Sequence, residues 1–111
     1  MHRRNLIHRD IKGGNILIDS NGVLKLADFG LARDLKPEVV LLNSEKQPLR
    51  FMFTTKVVTR WYRAPEVALE DPFYTAKIDI WSIGCVFAEL ISRRPVFAAK
   101  SDLDLLPTIL H

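Results

Sequence analysis

Two short apolar runs joined by a tight turn constrain this chain most. Residues 16–18 and 23–26 are largely Ile, Leu and Val, and the pair Asn21-Gly22 lies between them. Asn and Gly accept a positive φ at low cost, so the pattern predicts a β-hairpin over residues 16–26. A hairpin returns the chain to where it began. We therefore expect the segments before and after it to emerge side by side.

Both of those segments are rich in polar residues. His8-Arg9-Asp10-Ile11-Lys12-Gly13-Gly14-Asn15 precedes the hairpin, and Asp28-Phe29-Gly30 follows it. We expect Asp10, Asn15 and Asp28 to converge on one point. A carboxylate and an amide oxygen together suit Mg²⁺, which usually brings phosphate oxygens as further ligands, and a second carboxylate can accept the proton of an attacking hydroxyl. The pattern predicts phosphoryl transfer, because that transition state needs positioning and charge neutralisation.

The rest of the chain predicts one long loop and two helices. Residues 34–55 lack periodicity and indicate a long surface loop. Residues 75–92 predict a helix with Thr75 as its N-cap, and its apolar residues lie all round the helix, which is typical of a buried helix. Ser101 and Asp104 resemble a capping box that opens a further helix, although Pro107 falls where it would cost about 3 kcal/mol.

Composition indicates a globular domain and argues against two classes of partner. The sequence is 48% hydrophobic and 26% charged, with both signs interspersed, and it carries a net charge of +3. The basic residues form no stripe with interleaved aromatics, so we expect no direct nucleic-acid binding. No apolar run approaches the roughly 18–20 residues of a membrane span, and Met1–Asn5 leads into the first motif without a secretory region. We expect an intracellular protein of the nucleus or cytoplasm. The single cysteine, Cys85, lies in an apolar run, and we expect it to be buried as a small apolar side chain.

The three motifs in order, with Ala64-Pro65-Glu66 as the third, resemble the eukaryotic protein kinase family. Each motif alone is weak, since an isolated His-Arg-Asp is more often a solvated turn. Their order, with a hairpin of suitable length between the first two, favours the kinase interpretation. The resemblance implies an α+β, protein-kinase-like fold, here a mostly helical large-lobe fragment with a small β-hairpin. It also implies ATP and Mg²⁺ as cofactors.

The resemblance implies a role for each polar residue around the hairpin. Asp10 would be the base that orients the substrate hydroxyl, and Lys12 would contact the γ-phosphate. Asn15 and Asp28 would hold the metal ions, and Leu17 would form the apolar floor under the adenine.

Four further residues have structural roles by the same resemblance. His8 and Phe29 would belong to an internal hydrophobic stack. Asp79 would hydrogen-bond the backbone of the catalytic loop, although an acidic residue in the first turn of a helix is also favoured by the helix dipole alone. Glu66 would pair with an arginine that is not among these residues.

The segment before Ala64 narrows the resemblance. Lys12 is typical of serine/threonine kinases, and Trp61-Tyr62-Arg63 is typical of the CMGC group of cyclin-dependent and mitogen-activated kinases. In that group the arginine matched by Arg63 captures the carbonyl matched by Val58, which leaves a substrate pocket suited to proline. Substrates with Ser/Thr-Pro are therefore expected.

Regulation is implied in the same way. Thr54 matches the activating threonine of cyclin-dependent kinases, and Arg9 and Arg33 match two of the three arginines that bind its phosphate. A cyclin-like regulatory subunit is expected. Lys56 lies where mitogen-activated kinases have a tyrosine, which argues against membership of that class. The long segment between Asp28 and Glu66 resembles that of the transcriptional cyclin-dependent kinases.

Two hypotheses about the chain remain open. Gly13-Gly14 replaces the family's usual Pro-Glu or Pro-Gln, and no G-x-G-x-x-G is present in the sequence. We expect residues 1–111 to be a partial kinase domain without the small lobe and the end of the large lobe. The chain is either part of an ATP-dependent serine/threonine kinase or a truncated, catalytically inactive fragment that acts at most as a binding module.

Overall fold

The computed structural model describes residues 1–34, 60–71 and 74–111. Within this part of the chain, none of the helices is long and apolar enough to cross a membrane. The elements in chain order are β1 (Leu6–Ile7), β2 (Ile16–Ile18), β3 (Leu24–Leu26), β4 (Arg33–Asp34), α1 (Pro65–Ala68), α2 (Lys77–Ser92) and α3 (Asp102–Leu110). Short 3-10 turns lie at His2–Arg4, Gly13–Asn15 and Arg60–Tyr62.

The predicted hairpin is confirmed. β2 and β3 pair antiparallel, with Ile16 opposite Leu26 at the open end. Gly22 has a φ of 79°, a left-handed conformation that glycine adopts without a Cβ clash. The open end of the hairpin is also the end that carries the polar motifs, so the pairing brings their backbones together.

Asp19 organises the hairpin turn, which the sequence reasoning did not anticipate. Its carboxylate Oδ1 accepts hydrogen bonds from the backbone N–H groups of Asn21 and Val23 at 2.9 and 3.0 Å. The bond from Val23, followed by that from Asn21, lowers the pKa of Asp19, because both favour the charged form. The carboxylate thus replaces ladder hydrogen bonds that the turn cannot make.

A second ladder joins β1 to β4, with Ile7 opposite Arg33. This ladder was not predicted from sequence, because strands of two residues carry no periodic pattern. Asp34, where the predicted loop begins, lies in β4, and residues 35–55 of that loop lie outside the described residues. The ladder holds the chain that follows Asp28-Phe29-Gly30 against the chain that leads into Asp10.

The helix predicted over residues 75–92 is confirmed as α2, Lys77–Ser92. The predicted N-cap is wrong: Ala76 occupies that position, while Thr75 Oγ1 accepts a hydrogen bond from the backbone N–H of Lys77 at 3.3 Å. Arg93, with a φ of 59°, ends the helix. The first turn carries Asp79, which proves central to the site.

The prediction that α2 is buried all round is wrong for the described structure. One face is buried, and a second face is exposed. The buried positions are Ile78, Asp79, Ser82, Cys85 and Val86, and the exposed apolar positions are Ile80, Ile83, Phe87, Leu90 and Ile91. The reason is that the described elements pack against only one side of the helix. Burial of Cys85 agrees with its prediction, and desolvation raises the pKa of its thiol.

A small apolar core lies where α2 meets the start of the chain. Ile7, Ala64 and Ile78 form a buried cluster that joins β1, the approach to α1 and the first turn of α2. Val67, Tyr74, Ala76 and Trp81 pack around it. The core therefore fixes β1 relative to α2, and with it the polar segment that follows β1.

The further helix predicted from Ser101 is confirmed as α3. The Ser101 hydroxyl accepts a hydrogen bond from the Asp104 N–H at 3.1 Å and donates one to the Asp104 carboxylate at 2.6 Å. Pro107 lies inside the helix and does not end it. The Thr108 hydroxyl donates to the Asp104 carbonyl at 2.6 Å, and Leu105 is fully buried, so capping and burial offset the cost of the proline.

Candidate active site

Asp79 anchors the segment that carries Asp10. Its side chain is 1% exposed. One carboxylate oxygen accepts the N–H of His8 at 2.8 Å, and the other accepts the N–H of Arg9 at 2.9 Å. His2 Nε2 lies 2.7 Å from the first of these oxygens. Both oxygens of a buried carboxylate are therefore engaged, and the backbone just before Asp10 is fixed from helix α2.

Arg9 adopts a conformation that needs this anchor. Its φ is 68°, a left-handed value that costs a residue with a Cβ roughly 1–2 kcal/mol. The hydrogen bond to Asp79 holds the backbone there. The turn changes the direction of the chain, so that Asp10 lies against Asn15.

His8 joins the segments on the two sides of the hairpin. It is fully buried, and its Nε2 lies 3.0 Å from the carbonyl oxygen of Ala27. Its ring meets Phe29 edge to face, with centroids 5.2 Å apart. The two residues assigned to an internal stack are thus in contact, although Phe29 remains 52% exposed.

Asp10 is buried beside one amide and one cation. Asn15 Nδ2 donates to its backbone carbonyl at 2.8 Å and to its Oδ2 at 3.0 Å. Lys12 Nζ lies 3.4 Å from the same Oδ2. The other oxygen, Oδ1, is buried and has no hydrogen-bond partner within the described chain. A buried acceptor without a donor is costly, and an incoming hydroxyl would satisfy it.

The residue before Asp28 makes a backbone hydrogen bond to Asn15. The Ala27 N–H donates to the Asn15 carbonyl at 2.8 Å, so the hairpin brings the two segments together as the sequence pattern predicts. Asp28 has a φ of 58°, and its Oδ1 accepts the Gly30 N–H at 3.2 Å. A Cβ on Gly30 would lie 3.2 Å from that oxygen, so a larger residue there would require the Asp28 side chain to shift.

The donor set fits Mg²⁺ with phosphate oxygens as its remaining ligands. Asn15 commits its Nδ2 to Asp10, which leaves the amide oxygen for another ligand, and the Asp28 carboxylate is exposed. No group of three or more His, Cys, Asp or Glu side chains in the described ranges could hold a metal by itself. A site with few protein oxygens is the kind that Mg²⁺ shares with substrate phosphates. Leu17, in β2, is 55% exposed and presents apolar surface close to these residues in the chain.

Comparison with known proteins shows the family to which the chain belongs. Residues 1–110 match the protein kinase domain family. The chain belongs to the protein kinase family. The resemblance that the motifs indicate is therefore confirmed.

The relatives are named as serine/threonine and cyclin-dependent kinases. A serine/threonine-protein kinase of Candida glabrata and one of Saccharomyces cerevisiae are each 50% identical over 107 residues, covering 94% of this chain and 16% of each protein. The Schizosaccharomyces pombe protein named Probable cyclin-dependent kinase 9 is 46% identical over 111 residues, 98% of this chain and 19% of that protein. The chain thus spans under a fifth of the length of these curated relatives.

Arg9 and Arg33 are the two arginines assigned to a kinase phosphate clasp. Arg9 follows β1, and Arg33 is the first residue of β4. Arg9 donates from Nε to the Leu31 carbonyl at 2.7 Å and from Nη1 to the Tyr74 hydroxyl at 2.9 Å. Arg33 is exposed, lies opposite Ile7 in the β1–β4 ladder and donates to the Ala32 carbonyl at 2.9 Å. Arg9 thus bonds to the segment that leads into β4, the strand that contains Arg33. Thr54, whose phosphate they would bind, lies outside the described residues.

The kinase segment expected to contact substrate is only partly described. Arg63 is held by a carboxylate that sequence reasoning did not identify, Asp102, at 2.7 Å. Val58 lies outside the described residues. Glu66 lies in the first turn of α1, and its carbonyl accepts the Asp71 N–H at 2.9 Å.

Three further contacts in the kinase domain were missed from sequence. They are those of His2 with Asp79, of Tyr62 with Glu89, and of Asp102 with the arginines. Each joins residues far apart in the chain, and local pattern carries no sign of such pairs. Tyr62 donates to Glu89 at 2.6 Å, and burial, followed by this hydrogen bond, raises the pKa of Tyr62 to about 12.

Proposed function

We propose that this chain is part of an ATP-dependent serine/threonine protein kinase of the cyclin-dependent kind. The observation that carries the proposal is the state of Asp10. Its Oδ1 is buried and without a hydrogen-bond partner among the residues described, next to the Asn15 amide and the Lys12 ammonium. Such an acceptor suits a substrate hydroxyl.

In this proposal the chain's own residues act by positioning. Asp10 Oδ1 accepts the hydrogen bond of the substrate hydroxyl, orients its oxygen and takes its proton. Lys12 Nζ neutralises charge on the γ-phosphoryl group as it moves. Asn15 holds Asp10 through its amide nitrogen, so the carboxylate cannot rotate away from the attacking oxygen.

Asn15 and Asp28 would hold Mg²⁺ on the ATP phosphates. The metal supplies charge neutralisation across those phosphates. Leu17 is an exposed leucine on β2, and it would lie beneath the adenine. His8 and Phe29 would stack as part of the domain interior. This assigns residues 1–111 to a partial kinase domain, within its mostly helical large lobe.

Activation and partner binding follow from the resemblance to cyclin-dependent kinases. We propose that Thr54 is phosphorylated and that Arg9 and Arg33 bind its phosphate as charge-assisted donors. Support comes from the hydrogen bond of Arg9 to Leu31, in the segment that leads to Arg33. A cyclin-like subunit would complete the active state. The protein would act in the nucleus or cytoplasm.

We propose substrates with proline after the phosphorylated serine or threonine. Arg63 and the carbonyl of Val58 would shape a pocket from which the backbone N–H of a substrate residue is excluded, and proline lacks that N–H. Glu66 would support this segment from α1, and Asp79 would hold the catalytic loop from α2.

The test is phosphate transfer by the full-length protein, purified from its own cells with any bound subunit. Labelled ATP and Mg²⁺ are supplied with three peptides that differ only in carrying Ser-Pro, Thr-Pro or Tyr-Pro. Label on serine and threonine is expected, and the Asp10→Asn protein should transfer at least 10²-fold more slowly. Asp19→Asn, on the hairpin turn, is the control and should keep its rate.

A wild-type protein that binds its subunit without labelling any peptide would contradict the proposal. That result would favour the alternative, a catalytically inactive binding module. The 111 residues alone should transfer no phosphate, because their sequence contains no G-x-G-x-x-G loop to cover ATP. Label transferred by the isolated chain would refute that part.

A further inference from the structure

One carboxylate on α3 holds two arginines of the segment that precedes α1. Asp102 Oδ1 accepts Arg63 Nη1 at 2.7 Å and Arg60 Nε at 3.0 Å. Both bonds are charge-assisted, and both end on the same oxygen. The arginines lie some forty residues from Asp102 in the chain, so this is a tertiary contact between two elements.

The two arginines differ in how far they depend on this contact. The side chain of Arg63 is 13% exposed, whereas that of Arg60 is 46% exposed. Water can replace Asp102 for Arg60 at little cost. It can do so much less easily for Arg63, because a mostly buried guanidinium needs a protein partner. Arg63 should therefore be the arginine whose position depends on Asp102.

A third hydrogen bond fixes the same elements to one another. Trp61 Nε1 donates to the Ala99 carbonyl at 3.0 Å, three residues before Asp102. Ala99 is 7% exposed, so this end of the contact is packed as well. The segment 99–102 thus holds Arg60, Trp61 and Arg63 by hydrogen bonds, and it forms a platform on which Arg63 is oriented.

We propose that Asp102 is a positioning residue for substrate selection, acting through Arg63. By holding the guanidinium in one orientation, Asp102 keeps Arg63 aimed at the pocket for the residue after the phosphorylated serine or threonine. This rests on the proposed function, in which Arg63 shapes that pocket. Asp102 touches neither ATP nor substrate in this scheme.

A purely structural role for Asp102 makes a different prediction. Asp102 is the first residue of α3, where an acidic side chain stabilises the helix through its dipole. Asp104 is in the same first turn, bonds to Ser101 and has no contact with the arginines among the hydrogen bonds of the described residues. Loss of Asp104 should therefore weaken α3 at least as much as loss of Asp102. Asp104→Ala is accordingly the matched control.

The experiment compares kcat/KM for two peptides that differ only in Ser-Pro against Ser-Ala, with the full-length protein and its bound subunit. Asp102→Ala should lower the Ser-Pro to Ser-Ala ratio by about tenfold, the value of one charge-assisted hydrogen bond. Asp102→Asn keeps an acceptor oxygen, so its Ser-Pro to Ser-Ala ratio should lie between that of the wild type and that of Asp102→Ala. Asp104→Ala should leave the ratio unchanged even if it lowers the melting temperature.

A double variant tests whether Asp102 acts through Arg63. Arg63→Ala alone and Arg63→Ala with Asp102→Ala should give the same peptide ratio, because nothing remains for Asp102 to orient. Additive losses would overturn the inference, and so would an unchanged ratio in Asp102→Ala. A crystal structure of Asp102→Ala with Arg63 in its original position would also overturn it. A wild-type protein that labels neither peptide would instead overturn the proposed function, and the inference with it.

Discussion

Asn15 donates to Oδ2 of Asp10 at 3.0 Å, while the other oxygen of that carboxylate is buried without a partner within the described ranges. The amide thus orients the carboxylate by holding one of its oxygens, and we propose that the other accepts a substrate hydroxyl. The buried polar group is costly in the absence of a ligand, and functional sites commonly carry such a cost. This relationship is the physical basis of the proposed phosphoryl transfer.

Among the polar residues that the structure describes, Asp79 should be the most costly to remove. Asp79→Ala leaves the N–H groups of His8 and Arg9 without their acceptor, and we expect a loss of about 2–4 kcal/mol in the free energy of unfolding. Asp79→Asn keeps one acceptor oxygen and should lose less. Urea unfolding of the two variants measures this order. Equal stability of Asp79→Ala and the wild type would contradict the anchoring role.

Glycine substitutions should separate open positions from constrained ones. A Cβ on Gly13 or Gly14 would meet nothing within 4 Å, and neither residue has a positive φ, so Gly13→Ala should stabilise the chain by about 0.4–1 kcal/mol. Gly22→Ala is the control, because its φ of 79° strains any residue with a Cβ. Thermal unfolding should shift in opposite directions for the two variants. Shifts in the same direction would contradict the backbone conformations described here.

The Tyr62–Glu89 hydrogen bond predicts a pH effect on stability. The pKa of Tyr62 is raised from 10.0 to about 12 in the folded chain, so the unfolded chain loses its proton first as the pH rises. The stability from this group is therefore complete below pH 10 and is lost between pH 10 and about 12. Tyr62→Phe lacks the bond at every pH. The stability gap between wild type and Tyr62→Phe should shrink across that window, and a constant or widening gap would be contrary to expectation.

Cys85 should be unreactive while the chain is folded. The thiol is buried, and burial raises its pKa, so little thiolate is present at pH 8. Iodoacetamide should modify Cys85 slowly in buffer and rapidly in 6 M urea, as followed by mass spectrometry. Equal rates in the two solvents would show that the face of α2 on which Cys85 lies is open to solvent.

The sequence was most informative where local chemistry decides the structure. The hairpin follows from two apolar runs and Asn21-Gly22, and α3 follows from its Ser101 cap even though Pro107 argues against a helix. The convergence of the segments around Asn15 and Asp28 follows from the hairpin itself. In each case the determining residues lie within a few positions of one another.

Contacts between distant segments were the part that sequence could not provide. The β1–β4 ladder is two residues long, and the bonds of Asp102 to Arg60 and Arg63 join segments with no shared pattern. The exposed face of α2 was mispredicted for a related reason. An apolar residue such as Leu90 indicates that its face of α2 could be buried. Whether that face is buried depends on which elements pack against it.

The proposed catalytic role of Asp10 is tested by the rate of the chemical step in the full-length protein with Asp10→Asn. Single-turnover transfer from Mg²⁺-ATP to a Ser-Pro peptide is measured alongside nucleotide affinity. The proposed role of Asp10 predicts a rate at least 10²-fold lower than that of the wild type with nucleotide affinity unchanged, because in this role Asp10 contacts the substrate hydroxyl rather than ATP. A transfer rate equal to that of the wild type would contradict it.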